Sequence, residues 1–189
     1  MDQAEEAVEL GLRTVNPLYT YAPNTGVYHC PGDTRSKKAS LADGWAYDSY
    51  SKTQNVGGHD VDNYWKAGAT YTKLTNIKNP SSTFIFMEDA DDRNSNRGTW
   101  VVRMEGSRGA TVPWEFQWID PPAMYHGDIG TTSFADGHSE AHKWMNPRVI
   151  AAGRRAADGL TPDFGSASAS ATRPDSDYIH DNYRYPGWK

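Results

Sequence analysis

The chain has little with which to cross-link itself. Cys30 is its only cysteine, which excludes a disulfide framework within one chain. No apolar run approaches the roughly 20 residues that a bilayer-crossing helix needs. Met1 is followed at once by the acidic stretch Asp2-Gln3-Ala4-Glu5-Glu6, which is not a signal-peptide pattern. On both counts the chain as given reads as soluble, with no membrane partner. Positive charge is also scarce: the net charge is −5, and the nearest thing to a basic patch is Arg35-Ser36-Lys37-Lys38, read here as a solvated loop. A nucleic-acid partner is excluded, because backbone binding needs clustered Lys and Arg. Apolar residues make up only 37% of the chain, too few for a helical bundle of ordinary composition.

Aromatic side chains are plentiful, with seven Trp and eleven Tyr. A core of few large side chains joined by Gly- and Pro-rich connections suits a loop-rich α+β domain. One such domain is expected over residues 1–160, with a linker and an aromatic C-terminal tail over 161–189. The low-complexity run Gly165 to Ala171 marks the linker, and Tyr178, Tyr183, Tyr185 and Trp188 mark the tail.

Local patterns place the elements. Val8 and Leu12 lie four apart on one face of a helix from Asp2 to about Val15, with acidic residues at its positive end. Strands are expected at Thr83–Met87, Thr99–Met104 and Trp114–Ile119, with a further candidate at Trp45–Tyr50. Asp136-Gly137 between Thr131–Ala135 and His138–Trp144 predicts a hairpin with a two-residue type I′ turn. That turn pairs Ala135 with His138, Ser133 with Glu140 and Thr131 with His142. Asn146-Pro147 then opens a short helix with Val149 and Ile150 inward.

Chemistry has three places to sit. Around the hairpin, folding could gather His126, Asp128, Asp136, His138 and His142. One reading is a metal centre of His126, Asp128, His138 and His142, holding Zn²⁺ and activating a water. The other has His126 bonded to Asp136, pinning the loop to the turn while the strand histidines face solvent. The lack of a helical His-Glu-x-x-His favours the second. The next place is Glu88 to Gly98, where oxygen donors at Asp89, Asp91, Asp92, Asn94 and Asn96 suit Ca²⁺. The other reading is a solvated acidic turn free of metal, less favoured because so many carboxylates repel one another without a cation. It is not an EF-hand, since Arg103 stands where the twelfth-position Glu belongs. The third is Cys30, read as a structural thiol before Pro31, because its neighbour His29 should point the other way. No Gly-x-Ser-x-Gly is present.

Several segments fall in one order: Tyr28-His29-Cys30-Pro31-Gly32-Asp33, Trp45-Ala46-Tyr47, Ile77 to Asp89 with Pro80-Ser81-Ser82-Thr83, and His126-x9-Asp136-Gly137-His138. Together they resemble the H-X9-DG group of prepilin-like proteins, related to type II secretion pseudopilins, over roughly residues 17 to 144. The resemblance implies a pseudopilin-like fold, an N-terminal helix packed on a small antiparallel sheet with a loop-rich C-terminal region. It also implies a Ca²⁺ ordering that region, which favours Asp89, Asp91 and Asp92 as ligands. The family begins with a basic leader and an apolar anchor helix. Neither is in this sequence, so Asp2 to Val15 would be at most the soluble end of that helix.

The expectation is therefore a Ca²⁺-stabilised, non-catalytic domain of a secretion or surface-structure protein. Its full-length parent would belong to the cell envelope or exterior and meet other pseudopilin subunits. One alternative is a Ca²⁺- or Zn²⁺-dependent hydrolase of small esters, lactones or amides, with His126, Asp136 and His138 catalytic. The other is a glycan-binding module presenting Trp114, Trp118 or Trp188.

Overall fold

The computed structural model describes residues 3–40, 43, 45–57, 70–90, 99–103, 117–164 and 169–186. The chain is mixed α+β. Its main sheet has five strands: β1 (Tyr50–Thr53), β2 (Phe84–Glu88), β3 (Thr99–Trp100), β6 (Ile129–Phe134) and β7 (Ser139–Lys143). They lie in the order β3-β1-β2-β6-β7. β4 (Val102–Arg103) and β5 (Gln117–Trp118) form a separate antiparallel pair. The helices are α1 (Gln3–Val15), α2 (Pro147–Ala157) and α3 (Asp175–Asn182).

Two features of this frame differ from a small antiparallel sheet with a helix laid on it. The sheet is mixed, because β1 pairs parallel with β3. And α1, whose span is as predicted, packs chiefly on the 3₁₀ turns Pro17–Thr20 and Thr25–Tyr28. Its apolar stripe is thin: Leu12 is buried, whereas Leu10 and Val15 are exposed. A stripe that narrow covers a turn but not a sheet.

The aromatic C-terminal segment folds back and forms part of the core. Ile179 and Tyr183 are fully buried among Phe84, Trp100, Phe134 and Trp144. Tyr183 Oη donates to Trp100 O and accepts from Gln54 N, and Asn55 Nδ2 donates to Arg184 O. Trp118 is buried there too, its indole N–H bonded to Thr172 Oγ1, so it offers no sugar platform. Trp114 and Trp188 lie outside the described residues.

α2 follows its sequence signals. Asn146 Oδ1 accepts from Arg148 N, and Pro147 takes the first position. The residues it buries, Val149, Ala152, Gly153 and Ala156, recur at helical spacing, with Arg154 and Arg155 outward.

The predicted β6–β7 hairpin is present, with its register one residue off. Phe134 N donates to His138 O, and Gly137 N to Phe134 O. The loop is therefore the three residues Ala135-Asp136-Gly137, with Gly137 at φ +95°. This is a three-residue loop closed by a left-handed glycine, where the type I′ turn has two loop residues. Thr132 pairs with Glu140 and Gly130 with His142. Because side chains alternate, one residue of slip changes the face on which the strand histidines meet their partners. They lie on the side of Phe134 and Thr132, where His142 is half-buried beside α3 while His138 stays exposed, as expected. The His138 ring stacks on Phe134 at 4.3 Å and the His142 ring on Tyr178 at 3.6 Å.

A second irregularity decides where the acidic end of β2 points. β2 is bulged against β6 between Phe84 and Phe86. Phe84 faces Phe134, but beyond the bulge it is Met87 that pairs with Thr132 and points inward. Glu88 is thereby turned to the opposite side of the sheet, with its β1 partner Tyr50.

Candidate metal centre

On that opposite side, three side chains from distant parts of the chain converge. Cys30 Sγ lies 3.1 Å from His126 Nε2, and Glu88 Oε1 lies 3.3 Å from the same nitrogen. One ligand atom from each residue falls within 4.8 Å of the other two. Among the described residues this is the one His/Cys/Asp/Glu group of three or more so placed. Cys30 and Glu88 are almost fully buried, while the His126 side chain is 44% exposed and forms the open side.

Each member is held from behind. Cys30 N donates to Ser49 Oγ, which donates to Asp33 Oδ2, and Gly32 N donates to Cys30 Sγ at 3.4 Å. Glu88 Oε2 accepts from Thr131 N at 2.8 Å, which ties β2 to β6. His126 follows Tyr125, whose hydroxyl donates to Asp89 O. The loop bearing Cys30 is clamped by a buried pair: Arg35 donates to both carboxylate oxygens of Asp33. Arg35 Nη2 also donates to Asp48 O and Asp89 O. The run from Arg35 to Lys38 is thus not a solvated loop at its first residue, which is 1% exposed. Ion pairs this deep survive only when their remaining donors are satisfied, and backbone carbonyls do that here.

Glu88 Oε1 is different. It is buried and accepts no hydrogen bond, although its partner oxygen does. A buried carboxylate oxygen in that condition costs about 1–3 kcal/mol unless something positive faces it. Burial pushes the Cys30 thiol above its ordinary pKa, and the negative charge of Glu88 adds to this, while the Gly32 N–H works the other way. Burial, then the charges of Cys30 and Glu88, push the Tyr50 phenol up to about 12. An activated nucleophile needs the reverse shift, and its orienting carboxylate sits on the other imidazole nitrogen. Here thiol and carboxylate share Nε2, so the arrangement suits an ion between three donors better than a nucleophile and its base.

The other residues singled out from sequence go elsewhere. His126 does not meet Asp136, because Asp136 Oδ1 is 2.6 Å from His138 Nδ1. Asp128 pairs with Arg154 at 2.7 Å, and the Nε2 of His142 is 3.9 Å from Asp175. His126, Asp128, His138 and His142 are therefore not gathered into one ligand cluster, and His126 is not brought to the Asp136–His138 pair. Asp89 is buried, and its carbonyl is taken by Arg35 and Tyr125. Asp91, Asp92, Asn94 and Asn96 lie outside the described residues. His29 turns away from Cys30 as expected, stacking on Tyr47 at 4.6 Å.

Sequence reasoning missed Glu88 as a site residue and treated Cys30 as separate from His126. A signal existed, since each lies in one of the segments that carry the family resemblance. Comparisons with family models, curated proteins and solved structures each return no match. Among the described residues no helix is long and apolar enough to cross a membrane.

Proposed function

We propose that this chain is the globular domain of a pseudopilin-like secretion or surface-structure protein, stabilised by a bound cation and without catalysis of its own. One observation carries the reading: three of the segments that resemble the prepilin-like family fold into a single node. Cys30 and Glu88 meet His126, Glu88 holds Thr131, and Arg35, gripped by Asp33, holds Asp89 O. The family's recurring residues are thereby engaged in fastening loops to the sheet. The reading rests on these segments and not on α1, which packs on turns. Calcium bound by Asp89 and the acidic residues after it belongs to this proposal as the chemistry of oxygen donors suggests it. Partners would be other pilin-like subunits.

The test has two arms. The intact gene product is crosslinked in its own cells and the captured proteins identified, and the purified chain is assayed on model esters, lactones and amides. Recovery of pilin-like subunits with background turnover is the expected result. Turnover that is lost on chelation and in His126→Ala would replace the proposal with a metal-dependent hydrolase.

A further inference from the structure

We propose that Cys30 Sγ, Glu88 Oε1 and His126 Nε2 are the three protein ligands of a zinc ion whose fourth position opens to solvent beside His126. The separations fit. A tetrahedral zinc with ordinary bond lengths holds sulfur and nitrogen about 3.5 Å apart, and nitrogen and oxygen about 3.4 Å apart. The corresponding distances are 3.1 Å and 3.3 Å, so these two pairs require shifts of a few tenths of an ångström, and Sγ and Oε1 lie within 4.8 Å of each other.

The donor set selects the ion. A thiolate with an imidazole is a soft pair that favours zinc and its neighbours over calcium or magnesium, which take oxygens. Charge balances as well. On binding, the Cys30 thiol releases its proton to solvent. One thiolate, one carboxylate and a neutral imidazole then cancel the two charges of the ion. A neutral centre is what a site walled by two buried ligands tolerates best.

The state of the carboxylate points the same way. Glu88 Oε1 is buried and faces only the site's own Cys30 and His126, making no geometrically sound hydrogen bond, while Oε2 is fixed by Thr131 N and the sulfur is approached by Gly32 N. Such contacts aim ligands at an ion and are worth about tenfold or more in affinity. The β2 bulge is the backbone device that turns Glu88 to this point. These three ligands are not the oxygen donors proposed for calcium, and the two sets are distinguishable by which ion they retain.

The experiment is metal analysis of the purified chain, followed by cobalt(II) substitution of the metal-free protein. Equimolar zinc is expected, and with cobalt a near-ultraviolet sulfur-to-metal charge-transfer band. Cys30→Ser should remove that band. Glu88→Gln and His126→Ala should each weaken zinc at least about tenfold. His126→Ala keeps the test valid if the buried variants misfold, because His126 is half-exposed and its circular dichroism should be unchanged. Asp128→Asn and His138→Ala should bind zinc as the parent does. A folded parent that retains no zinc and shows no cobalt band overturns the proposal. So does zinc binding undiminished in His126→Ala and Glu88→Gln.

Discussion

Cys30 and His126 stand 96 positions apart in the chain, and the fold brings their Sγ and Nε2 to 3.1 Å. Cys30 is almost fully buried, and the half-exposed imidazole lies against its sulfur. A thiol-specific reagent should therefore label native Cys30 far more slowly than the urea-denatured chain, and His126→Ala should speed native labelling without loss of fold. Equal native and denatured rates would contradict this burial.

Gly153 sets two rules against each other. In an exposed helix interior, Gly→Ala stabilises by about 1 kcal/mol. Here an added Cβ would run into Pro122 O and come within 2.7 Å of Met124 Cγ. Backbone cannot step aside as a flexible side chain can. Gly153→Ala should thus destabilise by about 1–3 kcal/mol, read as a lower urea midpoint. A higher midpoint would mean that α2 does not lie this close to the segment Pro122 to Met124.

Asp175 joins the C-terminal segment to the start of α2. Its carboxylate is fully buried and accepts from Met145 N and Asn146 N. Asp175→Ala leaves two backbone donors unpaired and should cost about 2–4 kcal/mol. Asp175→Asn keeps one acceptor oxygen and should cost less. Thermal unfolding of the two variants side by side decides the matter, and equal losses would point to charge and not to the hydrogen bonds.

Asp136 supplies a pH dependence. The side-chain hydrogen bond with His138, then the bond from its N–H, hold the Asp136 carboxyl below its ordinary pKa. A carboxyl whose folded value is depressed contributes stability that is fully present above the ordinary aspartate range. That contribution is lost as pH falls through the lowered value. Carbon-detected NMR should show the Asp136 midpoint rise towards the ordinary value in His138→Ala. The stability gap between the parent and Asp136→Asn should close as the solution is acidified. The pair is exposed, so the effect is small.

What was legible in the sequence was local. The acidic start and the Val8–Leu12 spacing gave α1 its bounds, and Asn146-Pro147 gave α2 its first turn. The hairpin's place was legible too, but Asp-Gly serves both a two-residue turn and a three-residue turn ending in a left-handed glycine. Packing of Phe134 against His138 goes with the longer loop, and one residue of loop moved every β7 side chain relative to its partner. The face of Glu88 was hidden for a related reason: alternation through β2 fails at a bulge that no residue type announces. Arg35 looked like part of a solvated charge run because its partners, Asp33 and two carbonyls, assemble only in the folded chain. Cys30, Glu88 and His126 meet because of strand order, which spacing along the chain does not encode.

The contribution of Ile179 and Tyr183 to the core has a consequence for synthesis. Strands β1 to β7 leave the ribosome before α3, so Phe84, Trp100 and Phe134 remain uncovered until the segment around residue 183 has emerged. The domain closes late in its own translation, and a nascent chain stalled before that segment would expose the apolar side of its sheet to chaperones or to its neighbours.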